Sequence, residues 1–366
     1  MAEWKVGRKR GKYGVRGSMT WLIDGHEDLA FNAVVIGRDL TRPVAEIRRA
    51  EGEPPGHGEG TATVSLPALR AADVRVVLAT LFETPARVAA EHGIPGYHTP
   101  EEAYALAMAQ LDYYQALHER GEATLIRARP DLEAVVAGQA PQPGLVVLME
   151  GADPLRAPDD LAAFVARGVR VVGPAWHRTR YAGGTTEPGP LTGLGFALLE
   201  EMARLGVVLD ISHLADEACA QALAAFPGRV VATHANSRAI VPNERQLTDD
   251  VARAVAEHDG IIGLVCYNRF IRADWSEAQG KTAVSLHDLL PHARRLAGLV
   301  GAHRLALGSD LDGGIGREHV PREIDTAADL PILAGVLDAG GFTREEVEGI
   351  LHGNWLRLLR EILPEA

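Results

Sequence analysis

The stretch "LIDGHEDLAFNAVV" spans residues 22–35, and its first half turns from apolar to chelating within a few positions. Leu22 and Ile23 run straight into Asp24, His26 and Asp28. On an extended chain, side chains two residues apart share a face. His26 and Asp28 therefore put an imidazole nitrogen and a carboxylate oxygen side by side where a strand ends. Such a pair calls for partners, and the rest of the chain shows where to look for them.

Seven further apolar runs follow from about residue 73 onward: "VRVVLATLF", "GLVVLMEG", "VRVVGPAWH", "GVVLDISH", "RVVATHA", "GIIGLVCYN" and "RLALGSD". Continuous rather than alternating apolar runs mark strands covered on both faces, as in parallel sheets. Helical patterns separate them. Thr99-Pro100-Glu101-Glu102 supplies an N-cap, a first-turn proline and a capping glutamate. Leu191, Leu194, Leu198, Met202 and Leu205 recur at spacings of three and four, which predicts an apolar stripe facing a sheet. Phe342-Thr343 with Glu346 and Val347 reads as a capping box with a hydrophobic staple.

Eight strands with helical returns predict an α/β fold, a (β/α)8 TIM-type barrel. No G-x-G-x-x-G follows any strand, which disfavours a dinucleotide-binding sheet. The expected organisation is one domain over residues 1–366. Residues 1–20 form an N-terminal extension, and about 36–69 an irregular excursion after the first strand.

The net charge of −12 on 366 residues argues against nucleic acid or an anionic membrane surface as the main partner. Two cysteines, Cys219 and Cys266, are too few for a disulfide framework or a four-cysteine zinc site. The basic start "MAEWKVGRKRGKYGVRG" has no apolar core behind it, and no apolar run reaches membrane-spanning length. The expectation is a cytoplasmic protein without a membrane anchor.

In barrels of this kind chemistry sits where strands end. The runs finish in His26 and Asp28, Glu150, His177, His213, His234 and Asp310. Imidazoles and carboxylates without thiolate suit zinc or a similar divalent ion. They are too many for one tetrahedral ion, which points to two. Two dications about 3.5–4 Å apart repel by about 20 kcal/mol at an effective dielectric of about 20. Asp28, Glu150 and Asp310 with one bridging hydroxide would balance that charge. Glu150, able to lend an oxygen to each ion, is the expected bridge.

The pieces "DGHEDL", "MEG", "GVRVVGPAWH", "LGVVLDISH", "VVATHANSR", "NERQLTDDV", "GSDLDGG" and "GNWLRLL" appear in that order along nearly the whole chain. Together they resemble the membrane (renal) dipeptidases, zinc-dependent dipeptidases of the amidohydrolase-like metal-dependent hydrolases. The resemblance implies that His26 and Asp28 bind one zinc, with Glu150 bridging to a second zinc held by His213 and His234. It implies that Asp310 contacts the metals and shuttles a proton, that His177 polarises the carbonyl and steadies the oxyanion, and that Arg245 grips the substrate's terminal carboxylate. The implied reaction is dipeptide hydrolysis by a metal-bridging hydroxide, with tolerance of a D-residue at the second position. A homodimer is compatible with it. An amidohydrolase for N-acyl amino acids and a catalytically silent metal-binding scaffold are the competing readings. The sequence departs from the family pattern at Glu27, at "GADP" after Glu150, at Phe270 where a tyrosine is usual, and in the 178–190 loop. Asp24 and Asp312 are read as orienters of ligands.

Overall fold

The computed structural model describes residues 21–52 and 55–365, so the N-terminal extension lies outside the described residues. All eight apolar runs contain strands: β1 (Leu22–Glu27), β2 (Val74–Phe82), β3 (Gly144–Glu150), β4 (Val169–Gly173), β5 (Val208–Asp210), β6 (Val230–Val231), β7 (Ile262–Leu264) and β8 (Leu305–Leu307). The first six pair in sequence order, all parallel, and β7 pairs with β8, also parallel. A lone parallel bridge, Ala232 to Ile262, continues the order from β6 to β7. The backbone N–H of Asp310 donates to the carbonyl of His26 at 3.3 Å, joining the end of β8 to β1. The fold is thus α/β with a curled parallel sheet.

Period-two alternation explains why the strands lack polar faces. Ile23, Val76, Leu78, Val146, Leu148, Val171, Val208, Val231 and Ala306 point into one buried cluster, closed by Trp355 and Leu359. Their neighbours Leu22, Val77, Ala79, Val147, Val172, Leu209 and Leu307 belong to another, against the helices. Burial on both faces is what made the runs continuous. Trp355 lies in the helix Asn354–Ile362 and donates its indole N–H to the carbonyl of Leu307 at 2.8 Å. A Cβ on Gly25 would sit 2.6 Å from that ring, so β1 needs glycine there.

Helices return the chain between strands. The longest, α1 (Pro100–Glu119), starts at the capping box of Thr99 and Glu102. Thr343 and Glu346 form another such box. The expected Leu191–Leu205 stripe is shorter than its spacing suggested. Helix α2 is Gly193–Leu205 and buries Leu198, Leu199 and Met202, whereas Leu194 is exposed. Leu191 instead ends a hairpin, Ala182–Gly184 with Glu187–Leu191.

The 36–69 stretch also differs from its expectation. It carries two helices, Val44–Glu51 and Leu66–Ala71, and its extended part is buried from Glu59 to Ser65. Asp312 holds it: its carboxylate accepts from Thr63 N and Oγ1 and from Val64 N, and pairs with Arg38 at 3.2 Å. No helix of the described residues is long and apolar enough to cross a membrane. Both cysteines are buried and free.

Candidate metal centre

His26, Asp28, Glu150, His213, His234 and Asp310 meet at the C-terminal ends of the strands. Glu150 Oε1 lies 3.5 Å from His26 Nε2, 3.0 Å from His213 Nε2 and 3.5 Å from His234 Nε2. His26 Nε2 is also 3.7 Å from Asp28 and 4.0 Å from Asp310. The Nε2 atoms of His213 and His234 stand 3.0 Å apart. Ligand atoms fall into three overlapping groups: His26, Asp28 and Glu150; Glu150, His213 and His234; and His26, His234 and Asp310. Within each, all atoms lie within 4.8 Å of one another.

Burial makes this arrangement costly without a cation. Neither His26 Nε2 nor Glu150 Oε1 has a hydrogen-bond partner, although both are buried. Burial opposes charge on His26, but Glu150, Asp310 and Asp28 outweigh it and hold the imidazole up to about 10. Burial likewise works against the Glu150 carboxylate, yet His26 and His213 pull it below the usual range. Burial and the charge of Glu150 push Asp28 up to about 7, and burial carries Asp310 well above its ordinary value. His213 falls to about 4 through burial and the nearby Arg245. In this cluster a proton on His26 stands where a cation would balance the carboxylates. Orphaned nitrogen and oxygen atoms converging on one point fit a divalent ion.

Asp310 takes its place through a tight turn. It and Asp312 adopt left-handed backbone conformations, φ 61° and 60°. A Cβ on Gly313 would lie 2.0 Å from the Asp310 carboxylate, so the "GSDLDGG" turn needs glycine there. Asp24 and Asp312 are not among the converging groups. Asp24 accepts from the backbone N–H groups of Ser309 and His26, fixing β8 against β1. Glu27 is fully buried, and burial pushes its carboxyl well above the ordinary range.

A cavity of about 540 Å³ opens over the centre, within the size of small-molecule sites. His213, Asp310, Trp176, Arg245, Tyr267 and Phe270 contribute to its wall. Arg245 is 7 % exposed, and its Nε and Nη1 have no partner. Its Nη2 lies 3.0 Å from His213 Nε2. Phe270 packs 5.7 Å from the guanidinium carbon, and Tyr267 supplies a phenol to the same wall.

His177 does not join this group. It lines a separate small cavity with Glu83, Tyr97 and Asp153, and its Nδ1 faces Glu187 at 3.2 Å. Trp176, one residue earlier, lies between the two cavities and lines both. Sequence reasoning also missed Thr80, which donates to Asp28, and the pair Asp210 and Thr233 behind the histidines. Hydroxyls are weak signals in sequence, though Thr80 lies on β2 between β1 and β3, and Thr233 directly precedes His234.

The family model described as "Membrane dipeptidase (Peptidase family M19)" matches residues 18–364. The chain belongs to the membrane dipeptidase family. It is therefore a member of a metallopeptidase family. Among solved structures, dipeptidase AC, described as a metallopeptidase of family M19, superposes with a TM-score of 0.77 at 25% identity, over 95% of this chain and 100% of that one. A metallopeptidase from Rhodobacter sphaeroides, liganded with a phosphinate mimic of the dipeptide L-Ala-D-Ala, shares the fold with a TM-score of 0.77 at 24% identity, over 94% of this chain and 100% of that one. Dipeptidase aclJ of Aspergillus oryzae is 30% identical over 176 residues, 48% of this chain. The match spans only 39% of that relative's length, and 33% of that of Dipeptidase 3 from Rattus norvegicus.

Proposed function

We propose that this chain is a zinc-dependent dipeptidase, holding two zinc ions at the mouth of a closed (β/α)8 barrel formed by one domain. Alternate residues from around the sheet filling one inner cluster support the closed barrel. His26 and Asp28 would hold one ion, His213 and His234 the other, with Glu150 between them and Asp310 beside them. Bound divalent ions supply Lewis-acid polarisation of a carbonyl and lower the pKa of water.

The chain's own groups do the rest. Arg245, with two unpartnered nitrogens, binds a carboxylate in a bidentate grip. Asp310, on the cavity wall, takes a proton from the attacking water on its carboxylate and delivers it to the leaving amine. Tyr267 offers a hydroxyl three residues before Phe270 on the same wall. His177 supports the hairpin through Glu187, and the side chain facing the substrate on that flank is Trp176.

One observation carries the preference for a substrate that ends one residue after the scissile bond, as a dipeptide does: Arg245 touches His213. A carboxylate bound by that guanidinium lies within about one residue of the centre, which leaves no room for a longer C-terminal segment. Steady-state assays of the zinc-loaded protein on a panel of dipeptides, including L-Ala-D-Ala, test the reading. Free dipeptides should be cleaved, and C-terminally amidated ones should lose roughly 100-fold in kcat/KM. Faster turnover of N-acyl amino acids would favour the amidohydrolase alternative. Two bound ions with no turnover of either class would leave a scaffold.

A further inference from the structure

Behind the metal centre, one hydroxyl touches two of its histidines. Thr233 Oγ1 lies 2.9 Å from His234 Nδ1 and 3.3 Å from His26 Nδ1. On its other side it donates to Asp210 Oδ2 at 2.5 Å. The other Asp210 oxygen accepts from Thr233 N at 3.1 Å, Ser212 N at 3.0 Å and Ser212 Oγ at 2.6 Å. Thr233 is fully buried, and Asp210 and Ser212 nearly so.

Proton counting fixes the direction of each bond. A hydroxyl has one proton and two acceptor positions. The carboxylate of Asp210 has no proton to give, so it takes the one on Thr233. Both remaining positions of Oγ1 are then acceptors; Ser212 Oγ, 3.2 Å away, gives its own proton to Asp210, so the two ring nitrogens are left to meet them. Two Nδ1–H groups fill them, which leaves both Nε2 lone pairs facing Glu150. His213 makes no such contact with Thr233, although its Nε2 faces the same carboxylate.

We propose that Thr233 is a shared positioning residue that sets the orientation and tautomer of His26 and His234 together. Of the two groups that contain Glu150, one holds His26 and the other His234, and the two histidines share the third group with Asp310. This rests on the metal-centre reading, not on the choice of substrate. One hydroxyl, oriented by Asp210, thereby couples the two halves of the centre. Ligating histidines ordinarily have a partner on the second ring nitrogen, and losing one costs about 10- to 100-fold in metal affinity. A single partner serving two ligands makes both ions respond to one substitution.

The test measures metal binding rather than turnover. Metal-stripped protein is titrated with zinc against a competing chelator, for the unaltered chain, Thr233→Val and Thr233→Ser. Thr233→Val should weaken both ions, each by about 10- to 100-fold, and Thr233→Ser should restore both to within a few-fold. In the zinc-loaded protein, histidine-selective NMR should show the Nδ1–H protons of His26 and His234 protected from exchange, alongside the Nε2–H of buried His292, and Thr233→Val should lose the first two while keeping the third. Weakening confined to one ion, unchanged protection, or a serine variant as defective as valine would overturn the proposal. If valine fails to fold, Thr233→Ala carries the same comparison. If neither folds while serine does, the hydroxyl serves the fold instead, and the proposal is equally overturned. Dipeptide assays play no part, so an error over substrate leaves the outcome readable.

Discussion

Glu150 and Glu83 stand at the ends of neighbouring strands, for Phe82, just before Glu83, pairs in register with Glu150. Both are buried, yet their chemistry differs. Glu150 is ringed by His26, His213 and His234, and the first two hold its carboxylate in the charged form against burial. Burial pushes Glu83 well above its ordinary value, and its charged neighbours Asp28, Asp153 and Glu150 add to that. Gln110 donates to one Glu83 oxygen at 3.3 Å, and the other has no partner. Burial at a strand end is therefore not what makes a ligand. Convergence of three imidazole nitrogens on one oxygen is.

The sharpest way to break this contrast is to neutralise Glu150. Glu150→Gln should lose more than the roughly 100-fold typical of removing an outer partner, in turnover and in zinc affinity alike. Elemental analysis after dialysis reads the second effect directly. Full retention of two ions would mean that the carboxylate is not shared between them. Next in size is Arg245→Ala. Truncating a buried charge that pairs with a ligand typically costs about 2–5 kcal/mol, so kcat/KM for free dipeptides should fall by about 30-fold or more. Amidated dipeptides, which lack the carboxylate, should show little further loss. An equal fall for both substrates would assign Arg245 to the fold around His213 instead.

His177 tests the other side of the comparison, since it shares the Glu83 cavity. Behind Trp176 and paired with Glu187, it should change kcat by less than about tenfold when replaced by alanine. Loss of one positioned oxyanion donor costs about 100- to 1,000-fold. A fall of that size at constant KM would show that the imidazole reaches the reacting carbonyl after all.

How much of this was legible in the sequence follows from what each feature depends on. The eight strands were readable because two-sided burial writes continuous apolar runs. The capping boxes at Thr99 and Thr343 are local, and local chemistry survives in sequence. The buried extended part of 36–69 was not readable, because Asp312 pins it from 249 positions away at Thr63. The hairpin strand Glu187–Leu191 carries two prolines and ends in leucine, so its last residue imitated the start of the helical stripe that follows. At the end of β4, one residue of slip decides whether Trp176 or His177 faces the large cavity. That irregular segment has no periodicity to settle it. Thr233 escaped notice for a different reason: it acts on ligands without being of a ligand type.

The smallest expected effect concerns stability, and it isolates Glu83 from the metals. A carboxyl whose folded pKa is raised keeps its proton in the native state after the unfolded chain, near pH 4.3, has lost it. Between those values the native state binds more protons, so this group makes stability fall as pH rises. Glu83→Gln removes that dependence while keeping a similar shape. The variant should match the parent below about pH 4 and gain on it from there upward. By linkage the gain should grow by about 1.4 kcal/mol per pH unit until the folded pKa is reached. Urea unfolding of both proteins at pH 5 and pH 8 measures the difference, in which the titration of groups remote from Glu83 cancels. An advantage no larger at pH 8 than at pH 5 would mean that Glu83 ionises inside the fold, and hence that the cavity it shares with His177 holds a compensating charge.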